Sequence, residues 1–546
     1  MSPRPSDNQG MISAPQPEAA EAGLEVLEAG GNAVDAAIAT ALVQTAVDPQ
    51  MCGIAGFGSM QLYLPEHDAH LCLDFHGRAP LAATPDMWAD RVLGEAKDGF
   101  GFILEGRVNE IGYGAITTPM SLRAYADALE RFGTRSLADL LVPAIDYAER
   151  GFMVRPHVHF FWHDEEAAGR LANVERLTRD PATRRIYVKA DGGLPAIGET
   201  LRNPDMARTY RRIAETGVED FYTGKLAGEV VDDMRVNGGL MGAEDLAQVV
   251  TDESRPLEGN YRGHRIASNA PPGGGVMLLE MLNILEHFDL VAMGHNSPDY
   301  IATLAEAMKI ATVDKDSKVG DPRFVDVPVT DLTSKDYARA QAERVASGEI
   351  ATVPRLGGCA PVSPHTTHVS AVDGAGNCVA MTHSLGMPSG VITDGLGFMY
   401  NGCMAVFDPR PGRAGSIAPG KSRFTAIAPS IVFRDGAPFF VVGAPGGTYI
   451  TMGVLQAILN AIDFGMSAQE AVAAPRISAT SNTIEISNRI RRRTEAELQH
   501  RGYPIRRSAY NYCFAGIHAL RRVDGVCDGG ADPGRDGVAA ATWAQR

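Results

Sequence analysis

No Cys-x-x-Cys pair occurs in this chain, although seven cysteines are spread along it: Cys52, Cys72, Cys359, Cys378, Cys403, Cys513 and Cys527. An odd number of widely spaced cysteines indicates neither a zinc site nor a disulfide framework. No apolar run approaches the ~18 residues that a spanning helix needs. The opening ten residues are polar, carry Pro3 and Pro5, and lack a basic segment followed by an apolar one. No secretory signal is read there, and the cytoplasm is the expected location. Positive charge is also scarce: 50 Lys and Arg against 66 Asp and Glu leave a formal net charge of −16. That balance argues against a nucleic-acid or anionic-membrane partner; solubility alone accounts for it. Internal repeats and low-complexity tracts are missing too.

What is present is an ordinary globular composition, 45% hydrophobic and 21% charged over 546 residues. The length allows several domains or one large enzyme core. Helix signals come first. Residues 15–29 are rich in Ala, Leu and Glu and stop at Gly30-Gly31, and Asn32 is placed to cap a second helix over 33–47 that is apolar on nearly every face. Short apolar runs at 59–64 and 70–75 read as strands. From 119 to about 350 the pattern is mostly helical, with helices expected over 119–132, 136–150, 203–216, 225–237, 275–287, 297–314 and 330–345.

After residue 365 the pattern turns to strands. Runs at 366–372 and 377–384 flank Asp373-Gly374-Ala375-Gly376, a hairpin signal, and a second hairpin is expected from 430–433 and 438–442 about Asp435-Gly436. Gly443-Ala444-Pro445-Gly446-Gly447 and a helix over 451–464 follow. Ser467 with Glu470 forms a capping box.

The junction carries the chemistry. Thr366-Thr367-His368 opens the first strand directly behind a Gly/Pro/Ser-containing stretch, 354–365. A threonine hydroxyl is a weak nucleophile without an adjacent base, and its own α-amino group can serve once the preceding peptide bond is cut. Cleavage between His365 and Thr366 would make Thr366 nucleophile and base together. Alternation puts Thr366, His368 and Ser370 on one face and Thr367 on the other, with Thr382 and Ser384 sharing a face of the partner strand. Ser384 is the candidate second hydroxyl. Gly446-Gly447, between a strand and a helix start, suits an oxyanion hole.

Taken together these segments resemble the γ-glutamyltransferase family of N-terminal-nucleophile hydrolases. The resemblance rests on Ala29-Gly30-Gly31-Asn32-Ala33-Val34-Asp35-Ala36-Ala37, Asn269-Ala270-Pro271-Pro272-Gly273-Gly274-Gly275, Gly320-Asp321-Pro322, Thr366-Thr367-His368, Gly443-Ala444-Pro445-Gly446-Gly447 and the ending from Gly529 to Gly537. It implies an α+β fold, a four-layer αββα sandwich. It also implies self-cleavage into a large subunit, 1–365, and a small one, 366–546, which stay together as a heterodimer in one compact unit. Thr366 would be acylated by a small amide, Gly446 and Gly447 would hold the oxyanion, Thr367 and His368 would shape the site, and neither metal nor organic cofactor would be needed.

The acyl pocket departs from the family pattern. Where typical members read Asn-Asn-Gln-Met-Asp-Asp-Phe, this chain reads Asn401-Gly402-Cys403-Met404-Ala405-Val406-Phe407. Cys403 replaces the glutamine, and Val406 replaces the aspartate that binds the glutamyl ammonium. A valine cannot compensate a cation. His76 stands in the place of the carboxylate-binding arginine, with Arg78 two residues on and so on the same face of an extended strand. Thr425-Ala426 replaces paired serines, and Gly386 replaces an asparagine. Three readings stay open: an amide hydrolase or acyltransferase whose acyl donor lacks a free α-ammonium, a genuine γ-glutamyl hydrolase or transpeptidase, and an uncleaved, non-catalytic binding protein.

Overall fold

Alternation along the strand that follows Thr366 sends successive side chains to opposite partners, and this sets the layering. In the computed structural model, which describes residues 10–97, 99–164, 169–356, 365–510 and 514–542, Val369, Ala371, Val379 and Met381 enter a core shared with helices. Cys378 and Ala380, of opposite parity, meet Ile431, Phe433 and Val441 of a second sheet.

The strands of the two large sheets are, in chain order, β1 (Met11–Ala14), β2 (Phe57–Leu64), β3 (Ala69–Phe75), β4 (Asp252–Ser254), β5 (Leu257–Tyr261), β6 (His264–Ser268), β7 (Thr367–Val372), β8 (Cys378–Ser384), β9 (Ser430–Arg434), β10 (Ala437–Gly443), β11 (His518–Val523), β12 (Val526–Ala531) and β13 (Val538–Ala541). One sheet runs β13-β1-β7-β8-β2-β3-β4, the other β12-β11-β10-β9-β6-β5. Helices α1 (Pro17–Glu28) and α2 (Ala33–Val47) cover the outer face of the first. Helices α3 (Gly275–Leu285), α4 (Pro298–Lys318) and α5 (Tyr449–Ile462) cover the second. This is the expected α+β, four-layer αββα architecture.

Every residue of α2 is buried, as its all-round apolar sequence requires. Asn32 caps it in a box with Asp35. The Asp373 carboxylate of the first hairpin accepts from Ala33 N at 2.9 Å, so the turn behind the nucleophile strand is pinned to the start of α2. Seven of these strands went unread in the sequence: β1, β4, β5, β6, β11, β12 and β13. The helix expected over 330–345 is divided, because Ser334 caps a fresh start at Lys335–Ala346.

Segments on both sides of residue 366 share each sheet. In the first, β7, β8 and β13 from beyond it interleave with β1, β2, β3 and β4 from before it. Cutting there would leave neither piece with a complete sheet.

Candidate active site

The first hairpin forms over β7 and β8 in the register His368↔Thr382. Thr366 lies just ahead of β7, and its Oγ1 is 3.0 Å from Ser384 Oγ, with both residues buried. Gly386 N donates to Ser384 Oγ at 2.7 Å, which fixes that hydroxyl. Thr366 has φ +135°. For a β-branched residue this is a genuine outlier, with a cost of order 1–3 kcal/mol.

His368 points between the sheets, where its ring nitrogens meet Thr382 Oγ1 at 2.7 Å and Ser370 Oγ at 3.0 Å. Burial, assisted by the nearby His383, pushes its pKa down to about 3. It is therefore a neutral strut rather than an acid or base at working pH. Thr367 takes the opposite face and accepts from Gln44 Nε2 of α2 at 3.0 Å. Gln44 Oε1 in turn meets His383 Nε2 at 2.8 Å, and the other nitrogen of His383 meets the Tyr125 hydroxyl at 2.6 Å. This polar network locks the nucleophile hairpin onto the helix layer. Gln44 and Tyr125 escaped the sequence reading because each sits in an ordinary helix.

β10 runs beside β7 in the facing sheet. Ser370 Oγ donates to Val441 O at 3.4 Å, and the His368 ring packs so closely on Gly443 that a Cβ there would lie 2.2 Å from it. Gly446 and Gly447 have φ of +148° and +57°, and a Cβ on Gly446 would lie 2.7 Å from Ala515 Cα. Among the described residues neither of their N–H groups has a hydrogen-bond partner. Free donors just ahead of a helix start are of a kind suited to holding an anion.

The expected acyl-side residues divide. Val406 and Ala426 line one cavity of about 160 Å³, together with Thr448, next after the two glycines, and Phe100. Asn401 anchors the turn before Val406: its Oδ1 accepts from Thr117 N and Cys403 N, and its Nδ2 donates to Ala55 O. Cys403 is fully buried, its thiol pKa raised by burial against the opposing pull of Arg423. The Thr425 hydroxyl turns back to accept from Ile427 N at 3.2 Å. His76 is buried with Nε2 3.5 Å from Asp74 Oδ1. Arg78 lies beyond the end of β3, so strand alternation no longer governs it, and its guanidinium pairs with Asp252 at 2.8 Å. Each carboxylate around the cavity already has a cation: Asp408 with Arg410, Asp316 and Glu95 with Arg355. His365 is buried, its ring 6.5 Å from that of Phe161; residues 357–364 of the preceding stretch lie outside the described residues, as do Cys359, Cys513 and residues 1–9. Among the described residues no cluster of His, Cys, Asp and Glu could hold a metal, and no helix is long and apolar enough to cross a membrane.

A sandwich of two sheets with a strand-edge threonine at its mouth defines an enzyme of the N-terminal-nucleophile hydrolase type. A sequence model described as gamma-glutamyltranspeptidase matches residues 19–542, and the chain belongs to that family. It is 38% identical to the Acylase ACY 1 proenzyme of Pseudomonas sp. (strain V22), over 98% of this chain and 94% of that one. It is 31% identical to the Glutathione hydrolase proenzyme of Bacillus subtilis (strain 168), over 97% and 91%. The crystal structure of cephalosporin acylase from Bacillus halodurans superimposes with a TM-score of 0.88 at 29% identity, covering 100% of this chain and 98% of that one.

Proposed function

We propose that this protein cleaves its own backbone between His365 and Thr366 and then hydrolyses small carboxylated amides whose acyl group lacks a free α-ammonium. The observation that carries the reading is the buried Thr366–Ser384 hydroxyl pair at 3.0 Å, beside a peptide bond in a strained conformation. Scission abolishes the φ torsion of Thr366, so the strain is released by the step that frees the amine. The α-amine then takes the Oγ1 proton as Oγ1 attacks the amide carbonyl, and passes it to the departing amine. Gly446 and Gly447 N–H groups hold the oxyanion, and Ser384 aligns the nucleophile. Water attacks the resulting ester and regenerates Thr366; an amine acceptor would give transfer instead.

The acyl preference is supported by Val406, Gly386 and Cys403, none of which can bind an ammonium ion, and by the prior engagement of the surrounding carboxylates. The acylase and glutathione hydrolase names of the relatives fit the two substrate readings, and these features favour the first. Two measurements test it. Dividing 58.2 kDa between the 365 residues before the cut and the 181 after it gives bands of about 39 and 19 kDa, the smaller beginning at Thr366. Glutaryl p-nitroanilide should be hydrolysed in preference to the γ-glutamyl compound; the reverse order would reject the acyl assignment.

A further inference from the structure

Arg423 is 2% exposed, yet among the described residues no carboxylate pairs with it. Its guanidinium carbon lies 4.3 Å from the centre of the Phe57 ring and 5.6 Å from that of Phe100. One Nη donates to the carbonyl of the next residue, Phe424, at 3.0 Å, and Nε has no partner at all. Two aromatic faces partly offset the loss of water around an always-charged group, but a desolvated guanidinium left without an anion is costly. Its other neighbour, the Cys403 thiol with which it interacts, supplies no anion, because burial favours the neutral form.

The position is close to the reacting end. A Cβ on Gly386 would lie 2.7 Å from Cys403 Sγ and 3.4 Å from Arg423 Nη2. The N–H of that same glycine holds Ser384 Oγ, which touches Thr366 Oγ1. Arg423 therefore stands one backbone strand away from the nucleophile pair, in space kept clear because residue 386 has no side chain. Its backbone is fixed from outside: Asp321 accepts from Ser422 N at 2.8 Å and is itself clamped by Arg323. Phe100, which covers it, also lines the cavity that Val406 and Ala426 share.

We propose that Arg423 receives the free carboxylate of the acyl group, so that the pocket selects a dicarboxylic monoamide and repels a γ-glutamyl ammonium. The proposal rests on the function advanced above and names the group that enforces it. A guanidinium fork matches a carboxylate in a bidentate geometry, and Arg423 still has an unengaged Nε for it. The ammonium of a γ-glutamyl group, on the carbon next to that carboxylate, would lie beside the same guanidinium, which disfavours the amino-acid substrate.

The test compares glutaryl, butyryl and γ-glutamyl p-nitroanilides on the processed wild type and on Arg423→Met and Arg423→Lys. Butyryl matches glutaryl without its terminal carboxylate. Wild type should prefer glutaryl to butyryl, and Arg423→Met should lower that ratio of kcat/KM by about 100-fold, with Arg423→Lys between. The two bands on a denaturing gel report that each variant has folded and been cut. An unchanged ratio in Arg423→Met, even with lower activity, overturns the assignment. If Arg423→Met does not accumulate, the ratio in Arg423→Lys decides alone, and no drop there overturns it. Preference of the wild type for the γ-glutamyl anilide is a separate outcome: it overturns the proposed function together with this inference, whereas retained glutaryl preference in the variants overturns this inference only.

Discussion

The two ends of the site are built from different materials. At the proposed nucleophile end His368 stands in an antiparallel hairpin ladder, Ser384 pairs with Phe57 of β2, Thr366 lies immediately ahead of β7, and the far face is tied to α2 through Thr367 and Gln44. At the proposed acyl end Val406 and Cys403 come from one short 3-10 turn and Arg423 from a loop, anchored by Asn401 and Asp321 rather than by a strand ladder. A strand position cannot change without disturbing its cross-strand partner and the sheet packed on it. A turn position can exchange its side chain while its anchors hold the backbone. One end therefore preserves a reaction and the other can be refitted to a new acyl group.

The most severe way to break this contrast is to remove the shared hydroxyl. Thr366→Ala should leave a single band of full length and no detectable amidase activity, because one group performs both the scission and the acylation. Normal processing of this variant, read by N-terminal sequencing, would place the reacting centre elsewhere.

Next in size is the proposed oxyanion cradle at Gly446 and Gly447. Gly446→Ala inserts a methyl group 2.7 Å from Ala515 Cα at a φ of +148°, so the 446–447 turn must shift. Losing one aligned donor typically lowers kcat by ~10²–10³. KM should move much less, since the donors act chiefly on the tetrahedral intermediate. A loss expressed wholly in KM would show that this turn binds substrate instead.

How far the sequence carried each end follows from the same contrast. Strand alternation correctly put His368 and Ser370 on one face, a local consequence of the pleat, while the meeting of Thr366 with Ser384 comes from the turn of the chain just ahead of β7. The short strands β1 and β13 were invisible because four residues carry little periodicity. They are strands only because β1 finds partners hundreds of residues away in β7 and β13. Arg78 read as a pocket residue on the assumption that β3 continues to it, but β3 ends at Phe75. Arg423 went unnoticed within Lys421-Ser422-Arg423, a run that looks like an ordinary polar turn. Only the packing of Phe57 and Phe100 shows the guanidinium to be buried.

A smaller effect sharpens the acyl side. Val406→Asp restores a carboxylate at the position where the family pattern has one. With Gly386 and Cys403 unchanged, and Arg423 still present, it should shift the ratio of γ-glutamyl to glutaryl turnover by less than about tenfold. A complete switch of preference would mean that position 406 alone governs the pocket.

The smallest expected effect is on stability and belongs to the nucleophile end. His368 and His383 are held down to about 3 by burial, and burial, with His368 and then Arg535 and Arg476 nearby, also holds His518 well below the usual histidine range. An unfolded histidine takes up a proton near pH 6.5, so below that value the unfolded chain binds protons that the native one refuses. The stabilisation is complete above pH 6.5 and declines as the pH falls toward 3. Burial also lowers His70, His157 and His295, which adds to the fall between pH 6.5 and 5, while Glu280, raised well above the usual carboxylate range by burial, opposes it. The unfolding temperature should be level from pH 8 to 7 and fall by a few degrees by pH 5. Arg423 keeps its charge throughout, so glutarate binding should not weaken in parallel through the acyl pocket. A fall that persists unchanged in His383→Gln would mean that the hairpin does not rest on that neutral imidazole.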